Sequence, residues 1–153
     1  MTASTHSIER LVRPVVLSLE EIEAIINAPN PDSWIGQRDR VMLSTLYSTG
    51  ACVGELIGMR VMDIRLDSQP RIGIVDKFRR VRVVPLMDET AKLLQAWLER
   101  YPRKPEDLLF AARSGKILST AEVARRLAHA VGRANEYCPT KHDHFPRWEI
   151  GVW

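Results

Sequence analysis

The sequence predicts an α+β fold, mainly helical with a small antiparallel β-sheet. Three observations predict it. Two Ser-x-x-Glu capping boxes, Ser18 to Glu21 and Ser119 to Glu122, each open a run with helical apolar spacing. Between them, Ile72, Ile74, Val81 and Val83 alternate on either side of the polar stretch Asp76-Lys77-Phe78-Arg79, the pattern of a β-hairpin. The chain of 153 residues is 45% apolar and 27% charged, which suits a single globular domain.

Residues 1–17 have no periodicity and read as a lead-in, with the domain proper expected over 18–135. In the first helix, Leu19, Ile22, Ile25 and Ile26 share one face, and Pro29 and Pro31 end it. A second helix is expected from about Gly36 to Ser48 with Val41, Met42 and Leu46 inward. Thr49-Gly50 breaks it, and a short third helix starts at Ala51 or Val53. Arg71 begins the hairpin, and Pro85 closes its second strand.

Asp88 is then expected to cap a helix that buries Leu93, Leu94, Trp97 and Leu98. Tyr101 to Glu106 reads as a proline-punctuated loop, and Leu108-Leu109-Phe110 as a short strand. The helix after Ser119 turns Val123, Leu127 and Val131 inward and leaves Arg125, Arg126 and Arg133 free for other contacts. Residues 136–153 form a divergent tail that ends on Trp148, Ile150, Val152 and Trp153. An unfinished architecture is the expectation, with apolar surface uncovered near Leu46, Leu127 and Val131 and self-association as its result.

Composition excludes several classes. No apolar run approaches the ~18 residues of a spanning helix. Met1 to Arg13 is polar and lacks the apolar centre of a secretory signal, so a cytoplasmic location is expected, nucleoid-associated if DNA is bound. Cys52 and Cys138 have no paired spacing, which excludes a disulfide scaffold and a four-cysteine zinc module. The net charge of +3 permits nucleic acid without demanding it. The cations are mostly arginine, whose rigid fork suits phosphate.

Three segments stand out: Leu46-Tyr47-Ser48-Thr49-Gly50-Ala51-Cys52-Val53-Gly54-Glu55-Leu56 with the following Gly58 to Ile64, then Asp76 to Leu86, and finally His144-Phe145-Pro146-Arg147. In this order they resemble the catalytic domain of the tyrosine recombinases, the phage-integrase family. The resemblance implies cleavage of one DNA strand by a tyrosine, a 3′-phosphotyrosine intermediate, and no metal or nucleotide cofactor. Its chemistry needs arginines to bind the extra charge of a pentavalent phosphorane, and a lysine to protonate the departing 5′-oxygen.

Position by position, the resemblance places Cys52 where the family has its first arginine. Lys77 matches the catalytic lysine of the hairpin turn, but Asp76 and Phe78 replace the glycines that usually flank it. Asp76 is expected to set a negative charge against Lys77, and Phe78 to stiffen the turn. His144 and Arg147 match the His-x-x-Arg element, with Trp148 where a further histidine often stands. The tyrosines, Tyr47, Tyr101 and Tyr137, all precede that element, so no nucleophile is assigned. The expected identity is therefore a truncated, catalytically inactive remnant of a recombinase or integrase from a mobile element. A non-enzymatic DNA-binding or regulatory fragment and a vestigial protein-interaction domain are the alternatives.

The expected partner is double-stranded DNA, bound weakly and without sequence preference, with intact recombinase protomers as a second possibility. Lys77, Arg79, Arg80 and Arg82 are the candidate DNA contacts, and for the three arginines phosphate contact and plain solvation stand as equal readings. Cys52 is either a reactive thiol near Arg60 or, by preference, an inert residue at a helix start. His142-Asp143-His144 has the look of a metal site but too few ligands to complete one.

Overall fold

The computed structural model describes residues 17–137. In chain order they form α1 (Leu19–Asn27), α2 (Trp34–Thr49), α3 (Val53–Ile57), a 3-10 turn (Val61–Asp63), β1 (Ile64–Arg65), β2 (Arg71–Val75), β3 (Val81–Pro85), α4 (Asp88–Arg100) and α5 (Thr120–Tyr137). The sheet is antiparallel throughout, in the order β1-β2-β3. The mainly helical α+β expectation holds.

Local chemistry explains most boundaries. At α1 the capping box closes in both directions: Ser18 Oγ accepts the Glu21 N–H at 3.1 Å, and Glu21 accepts the Ser18 N–H at 2.9 Å. At α5, Ser119 Oγ accepts the Glu122 N–H at 3.0 Å, while the Glu122 carboxylate turns to Arg125. Helix α2 starts earlier than the sequence predicts, because Ser33 Oγ caps it through the Gly36 N–H at 2.9 Å. Gly50, at φ +64°, ends α2 in the left-handed region that favours glycine.

Asp88 does not cap α4. It is the first helical residue, and extended Met87 precedes it with its N–H donated to Ser48 Oγ at 2.8 Å. Strand β1, which pairs Ile64 with Ile72, is too short to show a sequence period. Leu108 to Phe110 does not form a strand either. Leu108 makes one isolated bridge to Arg60, the Leu109 N–H donates to Met59 O at 2.8 Å, and Leu109 and Phe110 are fully buried.

Helix α1 packs on α2 and α5, α4 packs on α2, and α3 packs on α5. One apolar core runs through them, with Ile25, Met42, Leu46, Leu56, Ile72, Leu94 and Phe110 at its centre. Leu46, Leu127 and Val131, expected to be uncovered, are buried in it. That ground for self-association therefore fails. On α4, Leu94 and Trp97 are buried, whereas Leu93 and Leu98 are only half-buried at the core margin.

A charged network crosses the core. Arg38 Nε and Nη2 donate to Asp39 Oδ1 at 3.1 and 2.8 Å, and Arg38 Nη1 donates to Ala111 O at 3.1 Å. Arg126 Nε binds Asp39 Oδ2. Arg126 is thus not free for another role, as the sequence suggested. It ties α5 to α2.

The hairpin register decides which side chains reach the helices. Ile72 pairs with Val84 and Ile74 with Arg82, which puts these residues on one sheet face. Ile72 and Ile74 are fully buried there, against the helical core. Val75 and Val81 pair on the opposite face, as do Gly73 and Val83. Val81 and Val83 are 67% and 65% exposed. Arg82, not its valine neighbours, is delivered to the helical side.

Candidate nucleic-acid interface

The left-handed turn at Gly50 leads into Cys52, which is the N-cap of α3. Glu55 reaches back to it: Oε1 accepts the Cys52 N–H at 3.0 Å and the Cys52 Sγ–H at 2.7 Å. Arg82 closes on the same carboxylate from the sheet, with Nη1 to Oε2 at 2.6 Å and Nη2 to Oε1 at 3.0 Å. This is a bidentate guanidinium–carboxylate pair. The Arg82 hydrogen bonds hold the Glu55 carboxyl at about 2, against an ordinary 4.5. The bond to Glu55 in turn pushes the Cys52 thiol above its ordinary range, helped by burial and by the carboxylate charge. The Cys52 thiol donates to this carboxylate, and its upward shift disfavours the reactive thiolate. Arg60, its suggested activating neighbour, instead donates to Glu106 O.

Arg82 also departs from expectation. It is the partner of Glu55 rather than a free cation on the hairpin. One residue of register accounts for this, since Arg82 sits opposite Ile74 on the inward face.

The turn of the hairpin is organised by Asp76. Its Oδ1 accepts the Phe78 N–H at 2.8 Å and the Arg80 N–H at 2.9 Å, and its Oδ2 accepts Arg80 Nε at 2.9 Å. These bonds, led by the Arg80 N–H, lower the Asp76 carboxyl below its ordinary value. Asp76 was expected to act on Lys77, but its hydrogen bonds go to the turn backbone and to Arg80. The positive φ of the turn falls on Arg79, at +62°, and not on Phe78. The aromatic therefore occupies an ordinary backbone conformation. Lys77 Nζ and the Arg80 guanidinium each lie 5.1 Å from the centre of its ring.

The hairpin tip and the start of α3 enclose an open cleft of about 570 Å³, with Cys52, Glu55, Lys77, Phe78 and Arg80 among its walls. That is within the range of small-ligand sites, ~300–1,000 Å³. The structure thus brings together Cys52, Lys77 and Arg80, ties Arg82 to their border through Glu55, and does not place Arg79 among the cleft walls. His144 and Arg147 lie outside the described residues, as does His142-Asp143-His144. Among the described residues, no group of three or more metal-binding side chains exists.

Two contributors were missed by sequence reasoning. Glu55 is the carboxylate on which Cys52 and Arg82 converge. Its signal was available, because position N3 of a helix is where an acidic residue reaches back to the cap. Phe78 was read only as a stiff turn residue, and nothing in the sequence showed that it would stand exposed between cations.

The phage integrase family model matches residues 15–150 of this chain. Tyrosine recombinase XerD of Pseudomonas putida is 33% identical over 125 residues, covering 76% of this chain and 40% of that protein. Tyrosine recombinase XerC of Syntrophus aciditrophicus is 33% identical over 138 residues, covering 84% and 44%. The crystal structure of XerA recombinase aligns with a TM-score of 0.68 at 26% identity, over 82% of this chain and 45% of that one. The chain spans less than half the length of these relatives. A family match over most of the sequence and a shared fold agree with the order Thr-Gly, helix start, basic hairpin, and the chain belongs to the phage integrase family, the tyrosine recombinases.

Proposed function

We propose that this chain serves site-specific DNA recombination as a DNA-phosphate-binding part of a tyrosine-recombinase catalytic domain, and that it does not itself cleave DNA. The observation that carries the reading is the pairing of a basic hairpin tip with an uncharged residue at position 52. Lys77, Arg79 and Arg80 crowd one turn, and among the described residues Lys77 and Arg79 form no ion pair, so both are available to phosphate oxygens. Opposite them, the thiol of Cys52 donates to Glu55 where the family resemblance calls for a guanidinium. A neutral thiol cannot neutralise the charge that develops on the non-bridging oxygens of a phosphorane. Lys77 stands in the hairpin turn where the resemblance implies the proton donor, but a proton donor without a phosphate clamp has no stabilised transition state to serve.

Binding is expected to be weak and largely independent of sequence, in the ~10⁻⁴–10⁻⁶ M range of phosphate-driven association at physiological salt. The test combines a nicked suicide duplex with a salt titration. No covalent protein–DNA adduct is expected, and affinity should fall steeply with salt. Replacing Arg79 and Arg80 by alanine should lower affinity equally on every sequence and flatten the salt slope by about one unit per lost contact. An adduct would overturn the inactive assignment. An unchanged slope in the double variant would remove the hairpin as the contact surface.

A further inference from the structure

The aromatic at the tip has no structural duty. Phe78 is 66% exposed and belongs neither to the apolar core nor to the half-buried shell around it. Leaving most of a phenyl ring in water forgoes the gain of burying it. Yet the backbone that carries the ring is held in place. Asp76 receives the Phe78 N–H itself and clamps Arg80 on the far side of the turn. Lys77 and Arg80 flank the ring at 5.1 Å. Val75 and Phe78 line the same cleft as Cys52, so apolar wall and cations stand side by side. An exposed aromatic surface on an ordered turn among cations matches one chemistry in particular: a nucleobase, whose π-face stacks on the ring while its own phosphate meets the adjacent charge.

We propose that Phe78 is a base-stacking residue that receives an unstacked DNA base beside the phosphates held by Lys77 and Arg79. This rests on the DNA-binding reading above and adds to it a preference for DNA in which a base is already free, or a step is easily opened. Apolar side chains that enter between base steps act in this way, and the unstacking they require costs least where pairing is already broken.

The test uses the full 153-residue chain with three oligonucleotides that carry 2-aminopurine: an intact duplex, the same duplex with a one-nucleotide gap beside the probe, and a single strand. Wild type, Phe78→Ala, Phe78→Trp and Arg79→Ala are compared by affinity, salt slope and probe quenching. On the gapped and single-stranded probes, Phe78→Ala should lose about 5- to 150-fold in affinity, the range for one stacked base, and should abolish quenching. Its salt slope should stay that of wild type, and Phe78→Trp should restore both affinity and quenching. Arg79→Ala should do the reverse, with quenching kept and the slope reduced. Quenching on the intact duplex as well would identify Phe78 as a wedge that opens a step, and quenching only on the broken probes as a passive platform; both support the assignment.

Salt-dependent binding that Phe78→Ala leaves untouched would overturn base stacking while the DNA-binding reading stands. Loss of slope in Phe78→Ala would also overturn it, since the ring would then act only by positioning Lys77 and Arg80. Binding with no salt dependence in wild type would sink both readings. Because Phe78 is mostly exposed, its replacement should leave the melting curve unchanged, so the variants remain comparable.

Discussion

Two carboxylates, Asp39 and Glu55, each organise arginines, one inside the core and one at its edge. Asp39 is 1% exposed and lies between Arg38, also buried, and Arg126. The Glu55 side chain is 9% exposed, and its partner Arg82 is nearly half exposed. Asp39 splits its oxygens between Arg38 of its own helix and Arg126 of α5, so it joins α2 to α5. Glu55 gives both oxygens to Arg82 and adds the Cys52 N–H and thiol, so it joins a helix start to the hairpin.

The physical consequence differs. Removing one partner from a buried network leaves an uncompensated charge with no water to receive it. Removing one from a surface network leaves a charge that solvent can take over at small cost. The same ion-pair chemistry therefore works as structure at Asp39 and as site preparation at Glu55.

The largest expected effect is at Asp39. Asp39→Asn should destabilise by ~3–5 kcal/mol, because Arg38 stays buried without its counter-charge. For a chain of this size that is a fall in Tm of roughly 6–20 °C, read by thermal or urea denaturation. A loss under about 1 kcal/mol would show that water enters this core and that the two networks are alike.

Arg126→Ala should come next, at ~1.5–3 kcal/mol, the range for a hydrogen bond to a charged group. Arg126 is the more exposed of Asp39's two arginines, and Arg38 still neutralises the carboxylate after its removal. The double variant with Asp39→Asn should lose less than the sum of the single losses, since both act on one network.

At Glu55 the effect is smaller and acid-dependent. Its folded value near 2 lies below its ordinary 4.5, so its stabilisation is complete above about 4.5 and is lost as pH falls towards 2. Arg82→Ala should lower Tm at pH 7 by only about 2–4 °C, the equivalent of ~1 kcal/mol, and should flatten the pH–Tm profile across that window. An unchanged acid limb in the variant would mean that Arg82 is not what depresses the carboxyl.

The smallest change is kinetic. In a Cys138→Ser background, Glu55→Gln should speed alkylation of Cys52 at neutral pH, because the carboxylate that accepts the thiol proton and raises its pKa is gone. Tm at pH 7 should fall about as little as in Arg82→Ala, since the same ion pair is lost. Slower alkylation would show that Glu55 activates the thiol rather than restraining it.

The helical elements were legible because their signals are local. Ser18 and Glu21 sit one turn apart and close on each other wherever that segment lies. The apolar spacing of Val123, Leu127 and Val131 fixes an inward face without reference to what covers it. The family motif was legible for a related reason. Thr49-Gly50 and the basic turn after Val75 are short segments whose residues meet within themselves.

What escaped depended on partners distant in sequence. Leu108 to Phe110 has strand composition, but its neighbours Met59 and Arg60 offer only one bridge and one carbonyl, so it stays a buried loop. Arg82 and Arg126 carry the same charge as any surface arginine. Whether each is free depends on Glu55 and Asp39, and their separation in sequence hides both pairs.

By itself, the sequence determined the capped starts of α1 and α5, the hairpin, the basic character of its tip and the neutral residue at position 52. Each of these depends on residues within one turn of one another, where backbone geometry leaves few choices. Only the tertiary structure decided that Arg82 belongs to Glu55, that Asp39 is a buried junction, and that Phe78 faces solvent. Strand register and helix packing set those distances. A shift of one residue in the pairing of β2 with β3 would turn Arg82 outward and one of its flanking valines inward.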